Sequence, residues 1–378
     1  MKTCHFITRL ILGGAQENTI LTCLGQHEAG HDVTLITGPA IGPEGDLMDW
    51  AKSLGFRIEV IDDLRREISL RRDWRSAKRL EALLRELRPD VFHTHSSKAG
   101  IIGRQVAWKM GGMKVVHTIH GLPFNEYNSA FSNMAYIHLE RRAASQSHKI
   151  ICVADAMSQQ ALAEDIGGPE LYTTVYSGME TSPFLTPSPA AAEFRKSLDL
   201  PDDAVLVTQV SRLAELKGHE YIIEAAREII DPRVHFCFVG DGKLRQEIEL
   251  AVDDAAMAER FRLTGLLPRD AMPAVMQATD ILVHCSLREG LARTLPQAML
   301  AGKPVISFDV DGAREVVNDN TGVLLEAEDV EGLRDAIMKL SADAQLREKL
   351  GLAGRELCRQ RFDWRYMVSE IQKVYDGI

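Results

Sequence analysis

A repeated rhythm constrains this chain most: short runs rich in β-branched residues alternate with longer amphipathic stretches of helical period. In the first half the runs fall at 4–8, 32–37, 57–61, 90–95, 114–119, 149–153 and 172–176, with helical stretches such as 74–87 between them. Strand, helix, strand repeated in this way places crossover helices on the faces of a parallel sheet. The rhythm breaks at 181–203, where Pro183, Pro187, Pro189 and Pro201 crowd together, and this predicts a linker with one short helix over 191–197. Strands resume at 204–210, 234–239, 260–264, 281–285, 304–308 and 323–325, and the end, 346–361 and 364–375, reads as helical. The expected architecture is therefore α/β, with two doubly wound Rossmann-like domains, 1–180 and 204–361, on either side of a linker.

Size and charge narrow the classes. A chain of 378 residues exceeds one ordinary core and suits two. The 54 acidic residues outnumber the 44 basic ones, whereas a general nucleic-acid binder is basic, so no nucleic-acid partner is expected. Six cysteines are scattered without a C-x-x-C pair, which points to reduced core thiols and a cytoplasmic location. No apolar run reaches the roughly 18 residues a spanning helix needs. Arg65, Arg66, Arg71, Arg72, Arg75, Lys78 and Arg79, interleaved with Leu70, Trp74 and Leu80, would suit peripheral contact with anionic lipid or else form a solvated helix face.

Ligands of open parallel sheets collect at the carboxyl ends of the strands, so position there matters more than residue type. Gly13 and Gly14 follow the first run, His95 and His120 end two others, and Arg212 and Lys217 follow the run at 204–210. Gly240-Asp241-Gly242 and Glu289 follow two more. If the two sheets present these edges to each other, the ligand lies in a cleft between domains. Bare glycine amides at a helix start, a forked guanidinium and a point-charge ammonium together suit a diphosphate. Residues 288–302 are the strongest signal: Glu289 and Gly290 run into a helical start at Thr294 to Gln297, so a carboxylate can hold sugar hydroxyls beside the amides of Leu291, Ala292, Arg293 and Thr294.

Taken in order, Gly13 to Gln16, His93 to Gly100, His117 to Phe124, Tyr176 to Gly178, Ser211 to Gly218, Gly240 to Gly242 and residues 288–302 resemble the family-4 retaining glycosyltransferases, especially bacterial members that build surface polysaccharides. The resemblance implies a GT-B fold whose final helix, 362–378, packs back on the first domain. It implies that Gly14, Arg212 and Lys217 bind the donor diphosphate, and that Glu289 with the following amides grips the transferred sugar. His120 would approach that sugar, with His95 and Ser96 on the acceptor side, and Gly265 and Leu266 would flank the nucleobase. The donor would be a nucleotide sugar and the acceptor a saccharide or a lipid-linked one. One departure is Gln297, where the family commonly carries a second Glu against the ribose; a carboxamide still offers one acceptor and two donors.

Three other readings compete. His93, His95, His117 and His120 could converge on a metal ion, although the absence of a placed Asp-x-Asp cluster argues that no metal or other cofactor is needed. Gly240-Asp241-Gly242 fails the dinucleotide fingerprint because Arg245 stands where its third glycine belongs. A sugar-nucleotide epimerase or hydrolase, or a non-catalytic binding protein, could use the same scaffold.

Overall fold

The computed structural model describes residues 1–41 and 45–378. The chain divides into two compact units, residues 1–179 with 363–378, and residues 180–362. The first holds seven parallel strands, β1 (Lys2–Ile7), β2 (Asp32–Thr37), β3 (Arg57–Val60), β4 (Val91–His95), β5 (Lys114–Ile119), β6 (Lys149–Cys152) and β7 (Tyr172–Thr174), in the order β3-β2-β1-β4-β5-β6-β7. The second holds six, β8 (Val205–Val210), β9 (Val234–Val239), β10 (Phe261–Gly265), β11 (Ile281–His284), β12 (Val305–Phe308) and β13 (Gly322–Leu325), in the order β10-β9-β8-β11-β12-β13. Every strand pairing is parallel.

Both orders reverse direction once, between β1 and β4 and between β8 and β11. At such a point the crossovers leave to opposite sides and open a crevice at the carboxyl ends. Thus the loops after β1 and β4 frame one candidate site and those after β8 and β11 another. The central strands are buried on both faces, as largely apolar runs such as Val234–Val239 require.

The stretch 181–203 corrects the expected linker. It carries two helices, Ser182–Leu185 and Pro189–Ser197, and lies wholly within the second unit. Gln277 fixes it, donating from Nε2 to the carbonyls of Pro183 and Thr186 and accepting from the Ser188 amide. Arg195 completes the attachment through an ion pair to Asp280. The prolines read as a break in rhythm, but proline at a helix's first turn costs no hydrogen bond. The helix Trp364–Asp376 belongs to the first unit, where Trp364, Met367, Ile371 and Tyr375 are buried. Gly178 allows this close packing, because a Cβ there would lie 2.6 Å from the Trp364 Cα.

Candidate functional site

In the second unit the turn after β8 folds directly onto the end of β11. Gly218, at φ 72°, permits this approach, since a Cβ on it would lie 2.0 Å from the Cys285 carbonyl oxygen. The Leu287 amide donates to the Leu216 carbonyl at 2.9 Å. Gln209 spans the two segments, giving its amide nitrogen to the Lys217 carbonyl (2.9 Å) and taking the Cys285 N–H on its oxygen (3.3 Å). These bonds set Lys217 against Glu289, and the two side chains form an ion pair.

Glu289 is held from three sides. Ser286 Oγ donates to its Oε1 at 3.3 Å, and its own amide donates to the Asp311 carboxylate at 2.6 Å. The Gly312 amide reaches the Gly290 carbonyl at 3.1 Å, so the loop after β12 braces the loop after β11. Burial alone would raise the Glu289 pKa, but the charge and hydrogen bond of the Lys217 ammonium, with the Ser286 hydroxyl, outweigh it and leave the carboxylate below its ordinary range. His284, lowered to about 4 by burial despite Glu289, is neutral at pH 7, so its 3.9 Å approach to Glu289 is not an ion pair. His284 Nε2 and Thr294 Oγ1 are buried with no hydrogen-bond partner among the described residues. Buried polar atoms left without partners carry a desolvation cost that a bound ligand can relieve.

The remaining donor-side residues lie along the same sheet edge. Arg212 is exposed after β8, and a Cβ on Gly240 (φ 139°) would meet the Ser211 carbonyl oxygen at 2.0 Å. The Gly240 amide donates to the Gly265 carbonyl at 3.0 Å, which brings Gly265 and the half-exposed Leu266 to the ends of β9 and β10. Leu291 and Ala292 are buried, while Arg293, Thr294 and Gln297 are partly exposed around the helix Thr294–Leu300. That helix has only seven residues and sums few peptide dipoles, so side-chain cations, Arg212, Lys217 and Arg293 among them, supply positive charge at this edge that the helix does not. Gly13 and Gly14 lie in the first unit; Gly13 is extended at φ 176°, and Gly14 opens the helix Gly14–Glu28.

In the first unit a pocket of about 260 Å³ sits at the ends of β4 and β5, lined by Ala15, Ser96, Ser97, His120, Gly121 and Glu140 among others. Ser96 adopts φ 62°, ψ 151°, a region that side chains other than glycine's rarely enter. Its hydroxyl contact with Thr8 Oγ1 (2.8 Å) ties the ends of β4 and β1 together. Glu140 pairs with the fully buried Arg104 at 2.7 Å. His120 is partly exposed at the pocket, and its Nε2 lies 3.2 Å from His95 Nδ1.

His95 corrects the expectation of direct acceptor contact. It is fully buried, and both ring nitrogens are engaged, with His120 and with His5, so it can act on a ligand only through His120. The four histidines considered as a metal cluster do not converge either. His93 and His95 face the helices Gly14–Glu28 and Trp364–Asp376, whereas His117 faces the helix Ser97–Met110, where Gly100 leaves room for its ring. The close trio is instead His5, His93 and His95, and each of their ring nitrogens already has a hydrogen-bond partner.

Sequence reasoning missed His5, Gln26, His284 and Asp311. His284 ends an apolar strand one residue from Cys285, and its place on the carboxyl edge was the one signal that could have marked it.

Comparison with known proteins agrees with this geometry. Residues 12–182 match Glycosyltransferase Family 4 and residues 191–357 match Glycosyl transferases group 1. An Escherichia coli UDP-Gal:alpha-D-GlcNAc-diphosphoundecaprenol alpha-1,3-galactosyltransferase is 29% identical over 352 residues, 92% of this chain and 89% of that one. The lipopolysaccharide core biosynthesis glycosyltransferase LpsD of Rhizobium meliloti is 24% identical over 98% of this chain and 96% of its own. Among solved structures, Anabaena HepE with UDP and glucose superposes with a TM-score of 0.86 at 21% identity, covering both chains fully. WaaG, a lipopolysaccharide glycosyltransferase, also covers both fully, with a TM-score of 0.78 at 18% identity. The chain belongs to the family-4 glycosyltransferases and has their GT-B fold.

Proposed function

We propose that this glycosyltransferase takes a hexose from a UDP-sugar and adds it, with retention and without a metal ion, to a lipid-linked saccharide acceptor. The observation that carries the reading is the Lys217–Glu289 pair at the β8/β11 reversal, with Arg212 on the same edge. Support for the donor and acceptor comes from relatives: the E. coli enzyme's name specifies UDP-Gal and a diphosphoundecaprenol-linked sugar, and HepE was solved with UDP and with UDP-glucose.

In this reading Arg212 and Lys217 neutralise the diphosphate. As the bond from the sugar C1 to the phosphate oxygen breaks, its electron pair leaves on that oxygen, where fixed cations lower the barrier. The acceptor hydroxyl attacks C1 from the same face, and its proton passes to the departing phosphate oxygen. Glu289, kept ionised by Lys217, accepts hydrogen bonds from sugar hydroxyls and opposes the positive character of the ring. Gln297, in the first turn of the helix Thr294–Leu300, would meet the ribose as a neutral contact. His120 and Ser96 serve the acceptor side in the first unit.

Membrane contact belongs to the same proposal. Ile68, Leu70 and Trp74 are exposed at 80%, 88% and 63%, beside exposed Arg66, Arg71, Arg72 and Arg79. Leu80, by contrast, is fully buried in the core and takes no part. No helix among the described residues is long and apolar enough to cross a bilayer, so contact would be peripheral. The chain should float with vesicles containing anionic phospholipid at low salt and dissociate as salt rises; failure to bind at low salt would contradict this part.

Replacing Lys217 by Met removes the main influence that holds the Glu289 proton affinity down. Turnover should fall by roughly 10²–10³-fold, and the acid limb of the kcat/KM profile should move to higher pH, because an unpaired, partly buried carboxylate binds its proton more tightly. An acid limb that stays put or moves lower would refute the coupling. For stereochemistry and metal, NMR of the product formed in excess EDTA should show the donor's anomeric configuration at an unchanged rate. An inverted product, or a rate lost in EDTA and restored by manganese, would contradict the proposal.

A further inference from the structure

A continuous line of hydrogen bonds runs from the core of the first unit to the pocket at His120. Gln26 Oε1 lies 2.9 Å from His5 Nε2, His5 Nδ1 is 3.0 Å from His95 Nε2, and His95 Nδ1 is 3.2 Å from His120 Nε2. His5, Gln26 and His95 are each fully buried. Thr3 Oγ1 also donates to Gln26 Oε1, at 2.9 Å. The line joins three elements distant in sequence, because β1 pairs with β4 in a register that sets His5 opposite His93.

A neutral imidazole has one N–H and one lone pair, so a chain of imidazoles has a direction. A carboxamide oxygen can only accept. With the carboxamide turned so that Oε1 faces both Thr3 Oγ1 and His5, leaving Gln26 Nε2 buried without a hydrogen-bond partner among the described residues, His5 carries its proton on Nε2, and its Nδ1 accepts from His95 Nε2–H. His95 Nδ1 then accepts from His120 Nε2–H, and the lone pair of His120 falls on Nδ1. Burial lowers His5 to about 4 despite the Gln26 bond and drives His95 well below the ordinary histidine value, so neither inner ring holds the second proton that would erase this direction at pH 7.

We propose that Gln26, His5 and His95 are positioning residues that set the tautomer of His120, making its Nδ1 an acceptor for a ligand hydroxyl at the pocket. The role of His120 in transfer rests on the function proposed above; the tautomer does not. Metal binding is the competing use of the same rings, since His5, His93 and His95 present nitrogens within 4.8 Å of one another. A metal there would have to displace the proton shared between His5 and His95.

The test uses the full chain labelled with ¹⁵N-histidine, with two-bond ¹H–¹⁵N spectra assigned through His120→Gln. At pH 7, His5, His95 and His120 should each show a protonated Nε2 and an unprotonated Nδ1. In Gln26→Met, which keeps side-chain length but removes the accepting oxygen, His120 should show mixed tautomers. The kcat should fall about tenfold, while UDP affinity is unchanged. A wild-type His120 protonated on Nδ1, tautomers unmoved in Gln26→Met, or stoichiometric zinc uptake that shifts all three rings would overturn the proposal, and the wild-type spectrum decides even if the variant does not fold. Tautomers as stated in a chain that transfers no sugar would fault the proposed function instead.

Discussion

Lys217 and Glu289 lie 72 residues apart in sequence, on loops following different strands, and the second unit's candidate site depends on their meeting. Both side chains keep some solvent exposure, 16% and 28%, so the pair itself contributes on the order of 1 kcal/mol or less to folding. Its value is positional. Parallel strands β8 and β11 adjoin because the sheet reverses there, Gly218 lets one loop touch the other, and Gln209 bonds to both. An ammonium and a carboxylate are thereby fixed at one sheet edge before any ligand arrives. Preorganised charge of this kind is where catalysis gains most, since no reorganisation is needed as the reaction proceeds.

The first unit repeats the plan with different chemistry. At its reversal point, between β1 and β4, it holds neutral imidazoles and a strained Ser96, and Glu140, paired with the buried Arg104, lines the pocket beside them. A fully buried guanidinium is tolerated only when its charge is matched. On the proposed reading the two edges differ in what they bind: the one with Arg212 and Lys217 takes the donor's diphosphate, the one with His120 and Ser96 an uncharged hydroxyl-bearing acceptor.

Much of this was legible in the sequence. Alternating strand and helix patterns located both sheets, and the carboxyl-edge rule singled out Glu289, Arg212 and Lys217 before any contact between them was visible. What escaped had physical reasons. His5 sits within an apolar strand and Gln26 within a helix, and only the pairing of β1 with β4 makes them neighbours of His95. The metal reading of the four histidines failed because strand alternation sends His117 to the opposite face from His93 and His95. Residues 181–203 read as a linker because their polar attachment runs through side chains such as Gln277 and Asp280, 85 to 94 residues downstream, which no local pattern marks.

The central claim is that cations and carboxylate divide the donor between them, with Arg212 and Lys217 on the diphosphate and Glu289 on the sugar. Calorimetry of UDP and UDP-glucose, as probes, against the wild type, Arg212→Ala and Glu289→Ala tests it directly. Arg212→Ala should weaken both ligands by roughly tenfold or more, the size expected for a lost charged hydrogen bond. Glu289→Ala should leave UDP as tight or tighter, because Lys217 is released, while abolishing any extra affinity the sugar provides. Equal weakening of UDP and UDP-glucose by Glu289→Ala, or UDP affinity unmoved by Arg212→Ala, would contradict the account.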